Sequence, residues 1–337
     1  MPRTNIEHHP EPHGSKVANL DIVADLRKLR LQKGAKRVLV HFQIVHRFRP
    51  HRFAAKLPKE HKRGKMTDAR PIPDDVTEFV QRRDDGPVAV LTLSRPRSLN
   101  ALSDEMLEAL NAALERLAET PAIRVIVVRG AGKAFCAGHD LKQMTAARDA
   151  PDGGRAYFAD LFDRCGALMQ RLPTLPQPVI AEVHGIATAA GCQFVAACDM
   201  AVAAQGTRFG VNGVNIGLFC STPMVALSRN IPRKQAFEML TTGDFIDAER
   251  AADLGLINRV VPPDLLEAET MALAQQVAAK LGGAVRIGKR AFYDQIDRPL
   301  ADAYALTQAA MVDNMLDADT AEGIQAFLEK RPPGWTQ

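Results

Sequence analysis

Apolar and polar positions along residues 77–204 fall into two alternating rhythms. Residues 77–83 and 87–93 are strand-like runs, and Asp84-Asp85-Gly86 between them predicts a hairpin turn. Ser103 then offers a hydroxyl cap, with Asp104 and Glu105 in the first helical turn, where the helix dipole favours acids. Leu107, Leu110, Leu114 and Leu117 recur at helical spacing and mark a buried face. Pro121 ends that helix, and residues 123–128 form an apolar strand. A second cycle follows: a polar loop, a helix over 157–172, proline punctuation at Pro173, Pro176 and Pro178, then a strand over 179–183. A third runs from a helix after Ala190 to a strand over 200–203. Apolar strands separated by helices predict an α/β fold with parallel pairing. Their irregular spacing favours a layered or coiled stack over a barrel. After Pro262 only helical periodicity remains, with helices expected over 265–281, 284–295, 300–316 and 320–330. Such a tail either covers an active site or makes an oligomer interface, and periodicity leaves both readings open.

Two strand ends feed turns of small residues. Phe135-Cys136-Ala137-Gly138-His139-Asp140-Leu141 follows the run Val125-Ile126-Val127-Val128, and Gly185 through Gln193 follows the strand over 179–183. Each turn opens a helix, so each exposes backbone N–H groups where negative charge is stabilised. Two such turns facing each other would grip one oxygen from both sides.

Composition divides the chain. Of 337 residues, 46% are apolar and 24% charged, ordinary values for a globular body. Residues 1–65 nevertheless hold 16 Lys and Arg against 5 Asp and Glu, and 7 of the 9 His. A basic, His-rich head, residues 1–66, therefore precedes a mildly acidic body. The head reads mainly as a disordered extension upstream of a start at Met66. Among its acids, Glu7, Glu11, Asp21 and Asp25 weaken a transit-peptide reading. Arg47 to Phe53 interleaves cations with aromatics, as a nucleic-acid arm would, but that reading leaves the body unexplained and nucleic acid is not the expected partner.

All five cysteines (Cys136, Cys165, Cys192, Cys198, Cys220) lie in the body. The odd count predicts reduced thiols in a cytoplasmic compartment, with the mitochondrial matrix as the eukaryotic alternative. No Cys or His spacing suits a metal, and no apolar run suits a membrane span, so neither is expected.

The body resembles the enoyl-CoA hydratase/isomerase (crotonase) family over about residues 76–330. The resemblance is an ordered series. It begins with Ser94 through Leu102 and Lys133 through Leu141. It continues through His184-Gly185 to Cys192, then Cys198-Asp199 and Phe209-Gly210, and ends with Gly243 through Asn258. It implies an α/β, crotonase-like (ClpP/crotonase) spiral of ββα repeats over 76–262, a helical C-terminal region over 263–335, and homotrimers or homohexamers. It implies an acyl-CoA thioester as ligand, with coenzyme A as part of the substrate and no separate cofactor. The family's two carbonyl-gripping N–H groups fall on His139 and Ala190, beside the small residues Ala137 and Gly138. Arg97, Lys142, Lys289 and Arg290 are the cations expected near the CoA phosphates. Lys289 and Arg290 would serve through a neighbouring subunit.

The resemblance also marks a departure. Family hydratases use two Glu side chains, and those positions here are Gln193 and Gly213. An amide is no base and glycine has no side chain, so hydration at the family's usual rate is not expected. Gln193 would orient water or substrate rather than carry a proton. His139 has a side chain in the right range for proton transfer. Asn212 and Asn215 would line the acyl pocket as binding groups. Cys136 and Cys220 show no sign of activation, Asp140 and Asp199 fit capping or turn roles, and His184 fits a closed turn. Two functions follow: an acyl-CoA enzyme of altered chemistry, or a non-catalytic acyl-CoA binder or oligomer partner modulating fatty-acid metabolism.

Overall fold

A computed structural model describes residues 78–336 of the chain; the basic head lies outside the described residues. In chain order the elements are β1 (Val80–Asp85), β2 (Val88–Leu93), α1 (Asp104–Ala118), β3 (Val125–Gly130), α2 (Leu141–Ala147), α3 (Arg155–Thr174), β4 (Val179–Val183), β5 (Ile186–Thr188), α4 (Ala190–Ala197), β6 (Met200–Ala204) and β7 (Arg208–Gly210). They continue as α5 (Pro223–Asn230), α6 (Arg233–Thr242), β8 (Ile246–Asp247), α7 (Ala248–Leu254), β9 (Arg259–Val261), α8 (Leu266–Ala278), α9 (Gly282–Gln295), α10 (Leu300–Met315) and α11 (Ala318–Glu329).

One sheet has the order β1-β2-β3-β4-β6-β9, and a second, small sheet has the order β5-β7-β8. The β1–β2 pair is antiparallel and every other pair in the large sheet is parallel. Each cycle places one strand in the large sheet and then turns into a second layer. Thus β4 leads to β5, β6 leads to β7, and β5 and β7 pair in parallel. Isolated bridges Leu102 to His139 and Cys136 to Ala187 extend that layer through the loops after β2 and β3. The result is a coiled stack of strand–turn–strand units, as the irregular spacing predicts.

The inner strands β2, β3, β4 and β6 are largely buried on both faces because both are covered. One core gathers Leu91, Leu107, Leu110, Leu114, Leu168 and Phe194 between the sheet and α1, α3 and α4. The other packs Val88, Val90, Val127, Ile180 and Val202 against Leu266, Leu273 and Ala274 of α8. Ser103 caps α1 by accepting from Met106 N–H at 3.2 Å, as its position predicts.

Two local expectations shift. The hairpin turn is Gly86-Pro87, because Asp85 still pairs with Val88. Gly86 adopts φ +57, which a side chain resists, while Asp84 stays in the exposed edge strand and binds Arg82. Pro173 lies inside the last turn of α3, which runs to Thr174, so only Pro176 and Pro178 punctuate.

Candidate functional site: two turns in contact

The loop after β2 sets the first turn. Leu99 and Asn100 both hold positive φ (52 and 55). Buried Asn100 accepts from Arg95 N–H at 2.9 Å and donates to the carbonyls of Ala131 at 2.9 Å and Ala134 at 2.8 Å. One side chain thereby ties three pieces of the loop system together. From there Ala137 N–H donates to Leu99 O at 3.0 Å, and Leu102 N–H donates to Gly138 O at 2.7 Å. Asn100 lies within the Ser94 to Leu102 segment, where the sequence alone assigns it no role. Its signal was an Asn followed by Ala-Leu, where an isolated polar residue enters an apolar stretch.

The second turn is anchored through the small sheet. Thr188 N–H donates to Cys136 O at 3.0 Å, and Ala189 N–H donates to Gly210 O at 2.9 Å. Ala189, the residue before α4, is held at φ 50 and ψ −120, a conformation strained for any residue with a Cβ. The first N–H groups of a helix have no partner within it. In α4 the earliest helical bond is Gln193 N–H to Ala189 O at 3.0 Å, which leaves Ala190, Gly191 and Cys192 ahead of the ladder.

The two turns touch. Gly138 has φ +89, and a Cβ placed on it would lie 2.9 Å from Ala189 Cβ, 3.1 Å from Thr188 O and 3.4 Å from Ala190 N. A Cβ on Gly191 would overlap the Cys136 carbonyl. Glycine is therefore required at both positions, for close approach of backbone to backbone.

Around this contact lie polar groups without protein partners. Gln193 is 4% exposed and its Oε1 has no hydrogen-bond partner. Both ring nitrogens of His139 are enclosed and unpartnered, and the ring meets Phe162 of α3 edge-on, with centroids 5.7 Å apart. Burial pulls the His139 imidazole below its ordinary range, opposed in part by the nearby Leu102 backbone and by Asp104. Asn212 accepts the Thr188 hydroxyl at 2.6 Å, which fixes its carboxamide beside the second turn. Gly213 is buried, and a Cβ there would overlap the Leu218 carbonyl and stand 3.0 Å from Cys220 Sγ.

Several expected site residues occupy other places. Lys289 is the clearest correction: it is 9% exposed, not a surface phosphate ligand. Its ammonium donates to Asp199 Oδ2 at 2.7 Å, Leu172 O at 2.8 Å and Gln177 O at 2.8 Å. All three donors are engaged, so none remains for an anion. Asp199 in turn accepts from Val179 N–H at 2.6 Å and Tyr293 O–H at 2.8 Å, so its turn-stabilising role extends to pinning α9. Asn215 does not reach the turns either; its Nδ2 donates to Gly243 O at 3.2 Å.

Arg97, on the 3-10 turn Pro96–Ser98, and Lys142, in the first turn of α2, are both exposed. Arg290 is exposed and lies 3.5 Å from Asp294. Asp140 caps α2 through Lys142 N–H at 2.8 Å, and His184 Nε2 lies 2.8 Å from Gly132 O, closing the turn after β4. Burial pushes the thiols of Cys136, Cys165 and Cys192 up to about 12, so they are neutral and unreactive; Cys198 and Cys220 shift the same way. Among the described residues no cluster of three His, Cys, Asp or Glu could hold a metal, and no helix is long and apolar enough to cross a membrane.

A coiled strand–turn–strand stack whose second layer brings a Gly138 turn against an α4 N-terminus defines a crotonase-type fold. The enoyl-CoA hydratase/isomerase family profile matches residues 83–337, and the chain belongs to that family. It is similar to enoyl-CoA hydratase domain-containing protein 3, mitochondrial, of Mus musculus, at 46% identity over 255 residues (76% of this chain, 83% of that protein). The Homo sapiens protein of that name is 46% identical over 246 residues, covering 73% and 80%. The crystal structure of the human protein aligns with TM-score 0.73 and 44% identity, over 76% of this chain and 100% of that one. An enoyl-CoA hydratase structure from Mycobacterium smegmatis aligns with TM-score 0.74 and 52% identity, over 77% and 99%. The small-residue segments Thr188-Ala189-Ala190 and Gly213-Val214-Asn215 point to the same branch.

Proposed function

We propose that the chain binds acyl-CoA thioesters and stabilises an enolate, gripping the thioester carbonyl between the backbone N–H groups of His139 and Ala190. The contact of the two turns across Gly138 carries this reading, because backbone donors can converge on one oxygen only where no Cβ intervenes. Donors of this kind are worth about 2.7–4 kcal/mol each in the transition state. In this reading Ala137 and Gly138 line the grip, Asn212 faces the acyl group, Gln193 orients water or substrate, and Arg97 and Lys142 meet the CoA phosphates. Coenzyme A is part of the substrate, and no further cofactor enters.

The test pairs binding with turnover. Butyryl-CoA binding by calorimetry and crotonyl-CoA hydration by absorbance are compared for the parent chain and Gly138→Ala. The variant should lose at least about 100-fold in affinity or turnover, the equivalent of one lost donor. A folded Gly138→Ala protein with both thioester affinity and turnover unchanged would overturn the reading.

The second reading, a non-catalytic acyl-CoA binder or oligomer partner, is favoured by Gln193 and Gly213, since neither accepts a proton. Thioester binding without turnover of any thioester offered would select it. Homotrimers or homohexamers are part of the proposal, supported by Leu300, Leu316 and Phe327 on α10 and its neighbours, exposed at 76%, 80% and 82%. A reducing compartment suits five unpaired cysteines; the matrix alternative draws on the names of the mitochondrial relatives.

A further inference from the structure

A cavity of about 770 Å³ opens at the end of the sheet away from the two turns. Ile123 and Arg124 in its wall lead into β3, and Pro176 and Gln177 lead towards β4, whereas the turns follow the far ends of those strands. Five or six residues at about 3.3 Å each put about 16–20 Å between the two places. The volume falls within the range of about 300–1,000 Å³ typical of small-molecule sites. Three cations and no acid line the cavity. Arg124 is fixed in place, its Nη1 donating to Ala278 O at 3.2 Å and Lys280 O at 3.3 Å. Both partners are neutral carbonyls, so the charge stays uncompensated and the Nε and Nη2 donors are left over. Lys280 and Arg286 are exposed, and among the described residues neither side chain has an ion pair or hydrogen bond. The start of α9 lies in the same wall, through Gly282 and Val285. No side chain caps this 14-residue helix. Its first bond runs from Val285 N–H to Leu281 O at 3.1 Å, which leaves the N–H groups of Gly282 and Ala284 ahead of the ladder. Gln177 lines the cavity at 4% exposure. Its Nε2 donates to Leu117 O at 2.7 Å, while Oε1 is enclosed without a partner, a state that buried polar groups rarely keep without a ligand or water.

We propose that this cavity binds a nucleoside phosphate, at a site separate from the two turns and independent of the acyl-thioester reading. Arg124, Lys280, Arg286 and the N-terminus of α9 hold the phosphates, since a guanidinium and uncapped helix N–H groups are both suited to phosphate oxygens. Gln177 Oε1 is an acceptor, so it does not meet the anion; it takes a hydrogen from an amino or hydroxyl group of the nucleoside. Pro121, Pro176 and Val285 offer apolar faces against which a planar base can lie. All three requirements together select this class. A fatty acid supplies an anion and an apolar body but no donor for Gln177. A sugar phosphate supplies the anion and the donor but nothing to cover the proline faces.

The test measures ADP and inorganic pyrophosphate binding to the full chain by calorimetry at low salt, with butyryl-CoA titrated in parallel. The double variant Lys280→Ala with Arg286→Ala changes only exposed side chains, and its fold is checked by urea unfolding. ADP should bind the parent chain and lose at least about tenfold in affinity in the double variant, while butyryl-CoA affinity stays the same. Pyrophosphate, which has the charge without the nucleoside, should bind the parent at least about tenfold more weakly than ADP. Absence of ADP binding, or an ADP affinity unchanged in the folded double variant, overturns the site. Pyrophosphate binding as tight as that of ADP overturns the nucleoside and the role of Gln177. An equal fall in ADP and butyryl-CoA affinity makes the cavity part of the thioester site and overturns its independence.

Discussion

The buried ion pair between Lys289 and Asp199 gives the sharpest test of how the helical tail is held. Lys289→Met removes the ammonium while nearly filling its volume. Three acceptors then lose a donor: the Asp199 carboxylate and the carbonyls of Leu172 and Gln177. Breaking a buried pair from one side typically costs about 3–5 kcal/mol, because the other charge stays buried. Asp199 keeps Val179 N–H and Tyr293 O–H, which places the expected loss toward the lower end of that range. Tyr293→Phe removes one of those bonds and should cost about 1.5–3 kcal/mol, as for hydrogen bonds to a charged group. In the double variant with Asp199→Asn both charges are gone, and about 1–2 kcal/mol of the Lys289→Met loss should return. The assay is urea unfolding at fixed protein concentration, with butyryl-CoA affinity measured on each folded variant. A loss below about 1 kcal/mol, or a tenfold drop in affinity in a stable protein, would refute the anchoring role and restore a phosphate-binding lysine.

Glu182 is 6% exposed with Oε2 unpartnered, and burial raises its carboxyl from 4.5 to about 7 despite Arg129 at 3.8 Å. The folded state then holds this proton more tightly than the unfolded chain, so stability should fall between pH 4.5 and about pH 7 and level off above. At about 1.4 kcal/mol per unit the loss is roughly 3 kcal/mol, and Glu182→Gln should flatten that slope in unfolding titrations. Gln193→Glu keeps the side-chain volume and should raise crotonyl-CoA hydration, by as much as about 10²–10⁴-fold for one proton carrier, in a steady-state assay. Gly213→Glu cannot join it cheaply: its Cβ meets the Leu218 carbonyl, and the overpacked loop should lower stability by about 1–3 kcal/mol in urea unfolding. Ala189→Gly should gain about 1 kcal/mol by relieving the positive φ, and a destabilised variant would show that Ala189 is not strained.

Much of this fold was legible along the chain. Ser103 caps α1, Leu107 to Leu117 mark its buried face, and β4 spans Val179–Val183, because capping and periodicity are local consequences of backbone geometry. The two small-residue turns were legible for the same reason, as strand ends that open helices. Their meeting was not, since residues 138 and 189 come together only when the second layer of the coil forms. Burial likewise has no local signature for a charged residue. Lys289 on its helix reads as a surface cation until α9 docks on α3 and encloses it. Gly213 reads as a missing glutamate until the folded loop shows a carbonyl where a Cβ would go. The order of residues determined which backbone turns exist and which side chains are absent from them. Tertiary contact alone decided which turns face each other and which charges leave water, because both depend on groups far apart in the chain.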